Sequence, residues 1–259
     1  MSIDDRYEGR EIIDAQLDLL EWAKGQRKTV LANGFALSEP RITRSDSGGI
    51  DFEIDVKNLT RGHNVPTGFD AERMFVIQVE ATDEEGNVVF LSGDRDPNGD
   101  LRDDFSLYVH NGELPLDEQL FNLQSKFMTS NIRGGDREQV LPINHSVTLL
   151  PFVRPATRPN NVYGRLSGVR KHRRNIEPLG KRTAKYHIDE ELLTGAGLYN
   201  IQFRFVSQAV PVNLVHHIMQ GGLDYGMSPR ELAEAIVAGA IVVDSKETVV
   251  EIQSNPPGR

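Results

Sequence analysis

The chain has 259 residues and no cysteine, with 38% hydrophobic residues, 26% charged residues and a formal net charge of −9. A chain of this length buries roughly three quarters of its unfolded surface and needs no covalent staple. The missing cysteines exclude disulfides, thiolate zinc sites, iron–sulfur clusters, a cysteine nucleophile and covalent haem attached through Cys-x-x-Cys-His.

The acidic balance argues against non-specific nucleic-acid binding as the main activity. No run approaches the ~18–20 apolar residues of a membrane span, and the start Met1-Ser-Ile-Asp-Asp-Arg lacks the basic and apolar regions of a signal peptide.

Residues 8 to 31 carry a helical period. Ile12, Ala15, Leu19, Trp22 and Ala23 share one face with Leu20 beside it, and Asn33-Gly34 supplies a stop. An amphipathic helix of this kind must lie against something. From about residue 39 the period changes to two: Ile50, Phe52, Ile54 and Val56 alternate with polar neighbours, as in a strand buried on one face. Met74 to Thr82, the turn Asp83-Glu-Glu-Gly-Asn87, and Val88 to Leu91 predict a hairpin.

Further strands are expected at Ser146 to Val153, Thr183 to Ile188, Tyr199 to Phe205 and Thr248 to Ile252. Ser228-Pro229-Arg230-Glu231 carries an N-cap serine, a proline at the first helical position and a glutamate three residues after the cap, so a short helix follows until Gly239. The predicted fold is mainly β: an antiparallel β-sandwich with an N-terminal amphipathic helix and a short inserted C-terminal helix. Residues 1–34 form a helical connector and residues 35–259 the sandwich.

Residues 154–182 are rich in Pro, Gly, Asn and Arg and read as a long excursion from the sandwich. Between Arg154 and Lys185 stand ten Lys or Arg and one acid, Glu177, so one basic segment is set on an acidic body. It is either a solvated loop or a docking surface for an acidic partner.

The sharpest ligand motif is Asp94-Arg-Asp96-Pro-Asn98-Gly99-Asp100. Oxygen side chains at Asp94, Asp96, Asn98 and Asp100 with glycine between the last two match the first half of a calcium loop. The second half differs, with Arg102 and Phe105 where the loop's later ligands would stand. The alternative is a solvated acidic turn.

The histidines at 63, 110, 145, 172, 187, 216 and 217 form no zinc signature. No nucleophile elbow, Gly-rich phosphate loop or dinucleotide fingerprint is present, so catalysis in this chain has little support. The stretch Gly62-His63-Asn64-Val65-Pro66-Thr67-Gly68-Phe69 makes a compact loop that either braces itself through His63 or presents that histidine to a cofactor or partner.

Together with Val56-Lys-Asn58 before it and Arg73 after it, then a strand, a Glu-Gly-Asn turn and Val-Val-Phe-Leu-Ser92-Gly93, this loop resembles the β-rich C-terminal region of bacterial multihaem c-type cytochromes of the cytochrome c-554-like group. The segments Asn122 to Phe127 and Ser207 to Val212 are similar in style. The likeness spans roughly residues 35 to 253, and the Gly-His-x-x-Pro-Thr-Gly loop is its specific part.

The resemblance implies an extracytoplasmic protein, periplasmic or at the cell surface, that serves electron transfer. The chain departs from that group in lacking Cys-x-x-Cys-His, so haem c would reach it only through a partner or another part of the polypeptide. It would then be a haem-free accessory domain or subunit packed on a haem-bearing one, with the N-terminal helix as connector; otherwise that helix covers the sandwich. Within this picture His63, and secondarily His110 or His145, would be an axial ligand to haem held elsewhere. The basic excursion would complement haem propionates or an acidic cytochrome surface. The alternative is a calcium-stabilised β-sandwich for binding or adhesion at a cell surface.

Overall fold

A computed structural model of the chain describes residues 3–67, 73–130, 136–139 and 169–253, with side chains for 4–67, 73–125 and 173–253. The expected strand at Ser146 to Val153, His145, Gly68-Phe69 and residues 154–168 of the basic excursion lie outside the described residues.

Two antiparallel sheets face each other. In the first, the central strand β3 (Gly49–Asn58) pairs along one edge with β1 (Phe35–Leu37) and β2 (Arg41–Asp46), and along the other with β9 (Lys181–Asp189). The second has the order β11 (Ile241–Ile252), β10 (Gly197–Gln208), β4 (Met74–Thr82), β5 (Val88–Ser92). A small third sheet is built from β7 (Asp136–Gln139), β6 (Lys126–Ser130) and β8 (Val169–His172). The β-sandwich expected from the alternating segments is present, and the β4–β5 hairpin forms as predicted.

The period of two places Phe52, Ile54 and Val56 of β3 opposite Tyr199, Ile201, Phe203 and Phe205 of β10, and all seven are buried. Aromatic rings join the layers. Phe52 stacks on Tyr186 of β9 at 5.4 Å between centroids and meets Phe203 edge-on at 5.5 Å. Phe35, Phe75 and Phe205 form a second group, with Phe35 and Phe75 at 4.8 Å. Ring pairs in these arrangements each contribute roughly 0.5–1.5 kcal/mol beyond the area they bury.

The outer face of β3 carries an acidic row that its basic neighbours neutralise. Asp51 pairs with Arg44 and His187, Glu53 with Arg41 and Lys185, and Asp55 with Arg41 and Lys181. The end of the basic segment is therefore part of the sandwich. Lys181 and Lys185 are committed to β3 carboxylates, and Ile176 is wholly buried in the core.

Between β10 and β11 stand α3 (Val212–Gln220) and α4 (Pro229–Ala238). In α4 the Ser228 side chain accepts from the Glu231 N–H, the Glu231 carboxylate accepts from the Ser228 N–H, and Gly239 is the C-cap, as the capping pattern predicts. A single turn, α2 (Leu107–His110), is capped by Ser106.

The N-terminal helix α1 (Ile3–Gly34) has 32 residues. At a rise of ~1.5 Å per residue it is about 48 Å long. Among the described residues its C-terminal end meets the sandwich: Leu31 packs on the core, and the Gly34 carbonyl accepts from the Leu59 N–H. The alternative to a connector, that its apolar face covers the sandwich, is not met among the described residues. Ile12, Ile13, Leu17, Leu19, Leu20 and Trp22 are each more than half exposed. The two sheets close on each other through their own aromatic rows.

Candidate functional site

Strand β3 ends at Asn58, whose side chain is 1% exposed. Its Nδ2 lies 3.0 Å from the His63 carbonyl, 3.0 Å from that of Ile176 and 2.9 Å from that of Glu177. Its Oδ1 accepts from the N–H and the hydroxyl of Thr60. Val65 and Ile176 exchange backbone hydrogen bonds, and Val65 and Pro66, joined by a cis peptide bond, are buried. One buried amide and one short bridge thus fix the loop from Leu59 to Thr67 against the segment from Ile176 to Gly180.

His63 sits exposed on this frame. Its Nδ1 is 3.0 Å from the Asn64 carbonyl. A carbonyl only accepts, so Nδ1 donates, and in the neutral imidazole the lone pair then stands on Nε2. This is the usual arrangement of a ligating histidine, in which a hydrogen bond at one ring nitrogen sets the tautomer at the other.

The other histidines whose side chains are described differ. Both ring nitrogens of His187 are engaged, by Asp51 at 2.6 Å and Asp189 at 2.8 Å; burial pulls its pKa down, but these carboxylates outweigh it and raise it. The Nε2 of His216 meets the Pro229 carbonyl. His110 lies exposed in the last turn of α2, and His217 is exposed on α3.

The acidic segment folds as a tight hairpin. The Asp96 N–H donates to the Asp100 carbonyl across Pro97-Asn98-Gly99, and Gly99 takes φ of 88°, a conformation that favours glycine. Asp94 forms an ion pair with Arg102 at 2.6 Å. Asp96 accepts from the N–H groups of Asn98 and Asp100 and from the Ser106 hydroxyl. Asp100 accepts from the Asn213 N–H in the first turn of α3. The four residues of the calcium motif are close in sequence, but the three carboxylates among them turn to different partners. Among the described residues no group of three or more His, Asp or Glu is arranged to hold a metal. An open cavity of about 530 Å³ lies beside the hairpin, lined by Asp94, Arg95, Asp96, Tyr108 and Glu113 among others.

Burial raises the pKa of Asp100 to about 6, against the opposing effect of the Asn213 N–H. The native state therefore holds this proton between about pH 4 and 6, where an unfolded aspartic acid has lost it, and stability falls as pH rises through that window. Asp100→Asn keeps an acceptor for Asn213 without the charge. It should match the parent protein near pH 4 and exceed it above pH 6 by up to about 3 kcal/mol in urea unfolding. An equal difference at both pH values would contradict the assignment.

No family model matches the sequence, nor does any curated protein. Among solved structures, that of a penta-heme cytochrome c552 from Thermochromatium tepidum is similar in fold. The identity is 14% and the TM-score 0.45, over 87% of this chain and 42% of that one. The chain thus spans less than half the length of that cytochrome. At this distance the likeness says nothing of haem in this chain. No helix among the described residues is long and apolar enough to cross a membrane.

The part of this site that sequence reasoning left without a role is Asn58 and its strap. Its partners at Ile176 and Glu177 lie 118 and 119 residues away. An asparagine at the end of an alternating strand, just before a Gly-His-Pro-Gly loop, was the available signal.

Proposed function

We propose that the chain is a haem-free accessory domain or subunit of a multihaem c-type cytochrome system. It would dock a haem-bearing module outside the cytoplasm and present His63 to a haem iron carried there. The observation that carries this reading is the His63 imidazole itself: exposed, on a loop fixed by Asn58, with Nδ1 bound to the Asn64 carbonyl and Nε2 without a partner among the described residues. Haem iron takes neutral imidazole as a common axial ligand. With no cysteine, these 259 residues supply no covalent anchor, so the macrocycle would be held by a partner or by another part of the polypeptide.

The resemblance of the Gly62–Phe69 loop to the C-terminal region of multihaem cytochromes points the same way. The calcium-dependent adhesion reading has no comparable observation behind it, since Asp94, Asp96 and Asp100 are each engaged within the protein.

The coding DNA around the chain provides a direct test. Cys-x-x-Cys-His segments are expected either in frame upstream of Met1 or in an adjacent gene. An isolated reading frame with no haem-binding segment nearby would count decisively against the proposal.

A further inference from the structure

Helix α1 is exposed from Asp4 to Val30, apart from the partly covered Gly9. At ~100° per residue, Trp22, Ala15, Leu19, Ile12, Ala23, Leu20, Ile13 and Leu17 occupy one continuous face. Between Ile12 and Ala23 the charges, Asp14, Asp18 and Glu21, all fall on the opposite side. A soluble domain does not normally leave an apolar surface of this extent to water.

The edges of the face carry opposite charge. Asp4, Glu8 and Glu11 run along one side, and Arg6, Arg10, Lys28 and Lys24, which pairs with Glu21 of its own helix, along the other. We infer that α1 is a dimerisation element that pairs side by side and in parallel with α1 of a second copy of this chain.

Two arguments select that occupant and that direction. In a parallel two-fold pair each helix sets its acidic edge against the basic edge of the other, so Glu8 and Glu11 stand at the height of Arg6 and Arg10 of the second copy. An antiparallel pair centred on the apolar stretch, near Leu17, instead sets Arg10 opposite Lys24 and Arg6 opposite Lys28. Like charges would then face each other on both sides of the crossing.

The available area is also adequate. The face is about 220° wide, so one partner helix covers its centre: Ile12, Ile13, Leu19 and Leu20, at ~60–120 Å² apiece, amount to roughly 700 Å² of apolar surface for the pair. Trp22 and Leu17 at its margins and the aliphatic stems of the edge residues bring this toward the ~1,200 Å² at which stable interfaces begin. The pairing stands whether or not His63 meets haem.

Trp22 is the only tryptophan in the chain, so its fluorescence reports on this helix alone. Sedimentation of the full chain should show a monomer–dimer equilibrium, with Trp22 emission moving to shorter wavelength as the dimer forms beside Lys24 of the second copy. Leu19→Lys should weaken association by about a hundredfold or more, since the lost burial counts twice in a symmetric pair. Far from the sandwich, it should leave the β-sheet melt unchanged.

Arg6→Glu with Arg10→Glu should weaken the dimer about tenfold, and adding Glu8→Arg with Glu11→Arg should restore it. Tighter association in the first of these variants would overturn the parallel arrangement. A monomer at all concentrations, whether Trp22 emits as an exposed indole or as one covered by other residues of its own chain, would overturn the inference.

Discussion

Replacing Asn58 by alanine is expected to cost about 3–5 kcal/mol and to release the His63 loop, because the substitution strands several buried polar groups at once. The amide bridges three carbonyls from two distant segments and receives both donors of Thr60; Asn58 itself and its bond to Ile176 are buried, and the other bonds are partly so. Each buried group left without a partner costs roughly 1–3 kcal/mol, and alanine restores none of them. Asn58→Asp keeps the shape and the acceptor for Thr60 but points a carboxylate at three carbonyl oxygens, so it should be no better tolerated. The urea midpoint gives the loss, and proton exchange at the Val65 and Ile176 amides shows whether the bridge opens. A loss below about 1 kcal/mol would mean that the strap is held mainly by the burial of Val65, Pro66 and Ile176.

Asp55 carries the second large effect. Its side chain is 3% exposed and binds Arg41 through both oxygens, Lys181 at 2.8 Å and the Thr183 hydroxyl at 2.7 Å. Burial alone would raise its pKa; the hydrogen bonds from Arg41, Lys181 and Thr183 outweigh that and hold it well below the usual carboxylate range. A carboxylate depressed in this way stabilises the fold fully above its unfolded pKa of ~3.9, and that contribution is lost as pH falls toward the lower native value. Asp55→Ala should cost about 2–4 kcal/mol at pH 7, moderated because Arg41 and Lys181 are partly exposed and regain water. The difference between Asp55→Asn and the parent should shrink steadily below pH 4. A difference independent of pH would show that shape rather than charge makes the contribution.

The strands with a clean period of two were legible because one face of each is buried against the opposite sheet. Phe52, Ile54, Tyr199 and Phe203 all point where alternation put them. The α4 helix was legible because its cap is local. Helix α3 was not, and the reason lies in its start: the N-cap residue is Pro211, whose side chain offers no hydrogen bond, and the carboxylate that receives the Asn213 N–H is Asp100, 113 residues away. Strand β2, Arg-Ile-Thr-Arg-Ser-Asp, is a largely exposed edge whose charges serve the acidic row of β3, so its sequence carries little hydrophobic signal.

The same distinction runs through the candidate site. The His63 loop could be picked out from its own glycines and proline, whereas the amide that fixes it depends on a strap supplied by the far end of the basic excursion. For α1 the period gave the helix correctly but not its surroundings, because amphipathicity shows that a face is apolar and does not say which surface covers it.

The central claim is that His63 is built to reach haem iron, and optical titration with a haem c peptide that has one open axial position tests it most directly. Addition of the chain should convert the peptide to a low-spin, bis-imidazole spectrum. The conversion should persist in His110→Ala and His217→Ala and disappear in His63→Ala. An unchanged titration in His63→Ala would show that His63 only braces its loop, and the account of this site would be wrong.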